Sequence, residues 1–114
     1  MADVVPPARV RELGAEVELV DVRLDEEWDA SRIPGAMHIP LDSLSARAEE
    51  IDRSKPVVLY CRSGDRSGGA ADALAASGWD VTSMEGGIVA WAEQDLPVEP
   101  EGGEVVAPSG LPPA

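Results

Sequence analysis

The chain contains no phenylalanine, one tyrosine and three tryptophans among 114 residues, so aromatic side chains make up only 4% of it. A core must therefore come from Val, Leu, Ile and Ala. With 44% apolar residues there is enough for one small globular domain and no room for a second. Positive charge is scarce as well: nine Lys and Arg face 22 Asp and Glu, a formal net charge of −13. Binding a phosphate backbone or an anionic membrane wants the opposite balance, so neither nucleic acid nor membrane is expected as a partner. The acidity reads as a solvated surface. No apolar run approaches the ~20 residues that cross a bilayer, and residues 1–9 lack the basic start and apolar stretch of a secretory signal. A cytoplasmic location is expected. Cys61 is the single cysteine and cannot form an internal disulfide, and with His38 as the single histidine it cannot close a four-ligand zinc site. Neither metal nor cofactor is expected. What remains is a lone thiol, either a small buried hydrophobe or a nucleophile, and its neighbours decide which.

Strand-like and helix-like stretches alternate. Residues 17–22 form a short apolar run with strand character, and Asp25 is placed to cap a short helix carrying Glu26, Glu27 and Trp28. Ile33-Pro34-Gly35-Ala36 breaks that helix and turns the chain into a second short strand over residues 37–39. Asp42 then stands as the cap of a helix through Leu44, Ala48 and Ile51. Residues 57–60, Val-Val-Leu-Tyr after Pro56, are apolar throughout, as expected of a central parallel strand covered on both faces. A loop over residues 61–66 leads to a helix over residues 67–76 with Ala70, Ala71, Leu74 and Ala75 on one face, ended by Ser77-Gly78. Residues 81–84 give a fourth strand, and Gly86-Gly87 opens a last helix with Ile88, Trp91 and Ala92 on its apolar side. This alternation predicts an α/β fold, a mostly parallel central sheet with helices on both faces, in which sites lie beyond the carboxyl ends of the strands. Residues 97–114 hold five of the ten prolines with no periodicity, so the domain is expected to span residues 1–96 and the rest to be an extended, flexible acidic tail.

Cys61 stands where such a fold keeps its site. A short loop between a buried strand and a helix N-terminus brings free backbone N–H groups around one point, and the helix dipole adds positive potential there. An anion at that point is stabilised, a thiolate included. Arg62 and Arg66 add fixed positive charge, and Gly64 permits the positive φ of a tight curl.

Several separated stretches resemble the rhodanese-like family of single-domain sulfurtransferases. They are Leu19-Val20-Asp21-Val22-Arg23 followed by Glu27-Trp28, then Ile33 to Pro40, the loop from Cys61 to Ser67, and Glu85-Gly86-Gly87 running to Trp91. Their order and spacing together are specific. Ser31-Arg32 departs from the family's usual Gly-His before Ile-Pro-Gly-Ala, and the tail has no counterpart in the family core. The resemblance implies a three-layer fold and a mechanism: the Cys61 thiolate takes the outer sulfur of a small sulfur-containing anion such as thiosulfate, and the persulfide hands it to cyanide, a thiol or a protein cysteine. It assigns Cys61 as catalytic, Arg62, Ser63, Gly64, Asp65, Arg66 and Ser67 as the anion cradle, and Asp21 and Arg23 as support. Arg62 matches the basic position of thiosulfate-using members, whereas the following position, often Lys there, is Ser63.

Two rival readings share the loop. One is a binding or protein-to-protein sulfur-relay module with the same cysteine. The other is the cysteine phosphatase or arsenate reductase of rhodanese type, whose loop has five residues between Cys and Arg; here there are four, and Asp65 would repel a dianion. Asp21, Arg23 and Glu27 are expected to brace the fold, with Glu27 four residues from Arg23 and able to pair with it. His38 is expected in a hydrogen-bonded structural role, and Trp28, Trp79 and Trp91 in packing, Trp91 foremost.

Overall fold

A computed structural model describes residues 3–107. Its strands are β1 (Val4–Val5), β2 (Glu18–Asp21), β3 (Met37–His38), β4 (Val57–Tyr60) and β5 (Val81–Met84). The α-helices are α1 (Pro7–Leu13), α2 (Asp25–Ala30), α3 (Leu44–Arg47), α4 (Asp65–Ala76) and α5 (Gly87–Glu93). The strands form one parallel sheet in the order β1-β5-β4-β2-β3. β4 lies at its centre and is buried along its whole length, as its unbroken apolar run requires. No helix of the described residues is long and apolar enough to cross a membrane.

The two-residue period of β4 divides the core. Val57, Leu59 and Cys61 face one layer with Leu44 of α3 and Ala70 and Ala71 of α4. Val58 and Tyr60 face the other with Val10 of α1 and Ile88 and Trp91 of α5. The expected α/β architecture with helices on both faces is therefore present. Alanines on the buried face of α4 let that helix approach the sheet closely, which fixes where its N-terminus meets the end of β4.

Local details differ from the sequence reading. β1 and α1 were not anticipated. A two-residue strand has no pattern of its own and exists through pairing with β5, Val4 beside Ser83. The Pro6-Pro7 pair looks like a breaker, yet Pro7 sits in the first helical turn, where a missing N–H costs nothing. Asp25 does not cap α2: Leu24 holds the cap position and the Glu27 carboxylate accepts the Leu24 N–H at 3.0 Å. Nor does Asp42 cap a long helix. It lies inside a 3₁₀ turn, Leu41–Ser43, that runs into the four-residue α3 and a second 3₁₀ turn, Ala48–Glu50. α4 starts at Asp65, so the loop after β4 is two residues shorter than expected and Asp65 and Arg66 belong to the helix's first turn.

Residues 97–105 run back over the end of α2. Trp91 Nε1 donates to the Pro97 carbonyl at 2.8 Å, Arg32 and Glu99 exchange backbone hydrogen bonds at 2.8 Å each, and Ser31 Oγ donates to the Glu104 carbonyl at 2.6 Å. Residues 108–114 of the expected tail lie outside the described residues.

Candidate active site

β4 delivers Cys61 to its carboxyl end, where the side chain is 1% exposed. The chain then curls through Gly64, whose φ of 106° is in the left-handed region that a side chain would resist, and enters α4. This curl folds the start of the helix over the sulfur. Gly64 N–H donates to Cys61 Sγ at 3.1 Å, and the Ser67 N–H and Ser67 Oγ each lie 3.5 Å from it. Sγ thus sits at the positive end of a 12-residue helix, on donors that the helix itself cannot use. Among the described residues, the N–H groups of Arg62, Ser63, Asp65 and Arg66 have no acceptor.

The turn after β5 holds the loop from beneath. Ile88 N–H donates to the Cys61 carbonyl at 2.9 Å and Val89 N–H to the Arg62 carbonyl at 3.1 Å. Gly87, at φ 60°, makes this possible, because a Cβ there would run into the Arg62 and Cys61 carbonyls. The Gly-Gly pair, read from sequence as a helix start, therefore also shapes the loop around Cys61.

The two loop arginines are used differently. Both Nη atoms of Arg66 grip the Glu27 carboxylate, at 2.7 and 2.9 Å, with the Arg66 side chain 28% exposed and that of Glu27 0%. Arg62 has no carboxylate partner among the described residues, and its Nε is buried without a hydrogen bond. Burial by itself pushes the Glu27 carboxyl up, but the hydrogen bonds from Arg66 and Leu24 and the charges of Arg66 and Arg23 outweigh it and hold the group below the ordinary glutamate range. The Arg66 guanidinium is raised above its usual value, chiefly by its hydrogen bond to Glu27 against the opposing effect of burial. The expected Glu27–Arg23 pair is not formed. Arg23 precedes α2 and is not on a shared helical turn, and its guanidinium is already held by Asp21.

That Asp21–Arg23 pair is wholly buried at 2.7 Å, and Arg23 Nη2 also donates to the Ser31 carbonyl at 2.7 Å. Both residues brace the junction of β2 with α2, whereas the hydrogen bonds to Sγ among the described residues come from Gly64 and Ser67. Tyr60 OH accepts the Ile33 N–H at 3.1 Å and so ties the Ile-Pro-Gly-Ala turn to β4. Burial, and then the Asp21 charge, push this phenol well above its usual value. His38 donates from Nε2 to the Arg23 carbonyl at 2.8 Å and stacks on Trp28 with ring centroids 4.8 Å apart, a structural position. Trp79 lies under Arg53, and Trp91 is buried in the core. Ser63 and Asp65 have exposed side chains. Sequence reading missed Ser83, whose hydroxyl lies 2.7 Å from Ser67 Oγ. Two concavities, one of about 310 Å³ between Val10, Val17, Leu19, Ile33 and Trp91 and a more open one of about 620 Å³ beside Ala92, Leu96 and Val98, are lined by none of the loop residues. Converging donors on one sulfur, rather than cavity size, mark the site.

Comparison with known proteins agrees with this fold. The sequence profile of the rhodanese-like domain matches residues 7–94. A protein of Allochromatium vinosum named sulfurtransferase is 43% identical over 89 residues, covering 76% of this chain and 83% of that one. The Bacillus subtilis protein YtwF is 37% identical over 86 residues, covering 75% of this chain and 84% of its own. In three dimensions, the crystal structure of a rhodanese-related protein from Thermoplasma volcanium superimposes with a TM-score of 0.80 at 28% identity, over 84% of this chain and 96% of that one. The parallel five-stranded sheet, the loop closing on Cys61 and the profile spanning nearly all of the folded body lead to one conclusion: the chain belongs to the rhodanese-like domain family.

Proposed function

We propose that the protein is a rhodanese-type sulfurtransferase that carries sulfane sulfur as a persulfide on Cys61. Arg62, Ser63, Gly64, Asp65, Arg66 and Ser67 form the cradle, and Asp21 and Arg23 support it from the junction of β2 with α2. The Cys61 thiolate attacks the outer sulfur of thiosulfate; a new S–S bond forms, and the bond to the sulfonate sulfur breaks with its electron pair leaving as sulfite. Cyanide, a thiolate or a protein cysteine then attacks the outer sulfur of the persulfide. The Cys61 thiolate is released and thiocyanate or a new persulfide is formed. No general base is needed.

The observation that carries this reading is the set of donors on Sγ: Gly64 N–H, Ser67 N–H and Ser67 Oγ within 3.5 Å at a helix N-terminus. Fixed donors of this kind stabilise negative charge on sulfur before and after transfer. Arg62, free of carboxylate and with a buried Nε to satisfy, is the group to hold the donor's sulfonate. A phosphatase reading would need Arg66 to grip a phosphoryl group, and both its Nη atoms are taken by Glu27. A lone cysteine that must stay reduced suits the cytoplasm. The test is steady-state turnover of thiosulfate with cyanide. Thiocyanate formation by the purified chain, abolished in Cys61→Ser with the fold retained, is expected; undiminished transfer by that variant overturns the assignment.

A further inference from the structure

On the α4 side of the sheet, the core around Cys61 is apolar: Val57, Leu59, Val81, Ala70 and Ala71. One position breaks the pattern. Ser83 lies two residues beyond Val81 and beside Leu59 in the sheet register, so it points to this same face, and it is 2% exposed. A buried hydroxyl in an apolar row is unfavourable unless it is hydrogen-bonded. Among the described residues its one hydrogen bond is to Ser67 Oγ, at 2.7 Å, and Ser67 is itself fully buried.

The number of protons fixes the direction of this bond. Ser67 Oγ has three neighbours: Ser83 Oγ, the Gly64 carbonyl at 3.3 Å and Cys61 Sγ at 3.5 Å. Were Ser67 to donate to Ser83, the Ser83 proton would be left buried with no acceptor, an arrangement folded proteins avoid. Ser83 therefore donates to Ser67, and the Ser67 proton is directed at the cradle, to the Gly64 carbonyl or to the sulfur. A negative sulfur draws it, because hydrogen bonds to ions are the stronger ones. Accepting from Ser83 also polarises the Ser67 hydroxyl and makes it the better donor.

We infer that Ser83 is a positioning residue for the Cys61 nucleophile, acting through Ser67 to aim and strengthen a hydroxyl donor on its sulfur. The inference rests on Cys61 being the nucleophile of the proposed reaction. The charged groups on the loop and on the elements packed against it are Arg62, Asp65 and Arg66 of α4, Glu27 of α2 and the Asp21–Arg23 pair at the end of β2, while Glu85 after β5 is exposed. None of them is bonded to either hydroxyl, so the hydroxyl pair can be altered without disturbing an ion pair.

The experiment is the pH dependence of Cys61 alkylation by iodoacetamide, followed by mass, in the full chain and in Ser83→Ala, Ser67→Ala, the double variant and Ser83→Thr. This readout needs no sulfur donor. Ser83→Ala places a methyl in an apolar row and should fold with an unchanged or higher Tm. Its alkylation rate on the acid side of the profile should fall roughly two- to fivefold, within the effect of one weakened hydrogen bond, with the midpoint moving to higher pH. Ser83→Thr should restore the profile. In the Ser67→Ala background, Ser83→Ala should add nothing. An unchanged profile in Ser83→Ala, or an equal shift with Ser67 already removed, overturns the inference. A chain that follows this cycle yet takes no sulfur from thiosulfate or any other sulfane donor would retire the sulfurtransferase reading and leave the role of Ser83 standing.

Discussion

Glu27 organises more of the site than its place in the sequence suggests. Its carboxylate receives both Nη atoms of Arg66 and the Leu24 N–H, joining the start of α2 to the start of α4. Glu27→Gln would leave Arg66 without its counter-charge and should destabilise the fold by about 1.5–3 kcal/mol, measurable by urea unfolding at neutral pH. The acid response gives a second measure. The folded Glu27 carboxyl lies below its ordinary value of 4.5, so the unfolded chain binds its proton first as pH falls. The stabilisation is complete above that ordinary value and disappears as pH drops through the lowered folded value. The wild-type chain should therefore lose stability more steeply below about pH 4.5 than Glu27→Gln; parallel acid curves would show that the pair contributes nothing. Arg62 carries a prediction about chemistry rather than stability. Arg62→Ala should raise the KM for thiosulfate roughly tenfold, with a smaller fall in kcat, if the guanidinium holds the donor's sulfonate in ground and transition states alike. A change confined to kcat would count against that role. Cys61, its arginines and Ser67 were legible in sequence as a cluster, but their division of labour was not. The partner of Arg66 lies 39 residues away, and chain spacing carries no trace of it.

Among the elements, the glycines of α4 and α5 make opposite demands. Gly69 lies within α4, and a Cβ there would meet nothing within 4 Å. Gly69→Ala should stabilise the helix by about 0.5–1 kcal/mol, seen as a Tm higher by a few degrees. Gly87 sits on the Cys61 and Arg62 carbonyls at positive φ, and Gly87→Ala should cost about 2–4 kcal/mol and disturb the loop it supports. Equal effects of the two substitutions would contradict this contrast. The same elements show what a sequence reveals. β4 was legible because four consecutive apolar residues after a proline admit few other structures. The start of α4 was misplaced by two residues because Asp65 and Arg66 look like loop until Gly64 is seen at a left-handed φ. β1 was invisible because its identity comes from β5 rather than from its own pattern.

Taken as a whole, the molecule places its reactive sulfur at the carboxyl end of the central strand, where two helix N-termini meet one loop: α4 supplies donors to Sγ and α5 supplies donors to the carbonyls behind it. The segment after α5 is tied to that helix through Pro97 and to the end of α2 through Glu99 and Glu104. A chain ending at Leu96 should lose about 1–3 kcal/mol with those bonds, read as a lower urea midpoint, and an unchanged midpoint would establish residues 1–96 as self-sufficient. The parallel α/β plan was legible from alternation alone. The contacts of residues 97–105 were not, because prolines and glycines without periodicity give no indication of what they lie against. The most direct test of the proposed chemistry is intact mass. The reduced protein, incubated with thiosulfate and then with cyanide, should gain the mass of one sulfur atom on Cys61, lose it again and release thiocyanate. No gain from thiosulfate or any other sulfane donor, with Cys61 still open to alkylation, would contradict it.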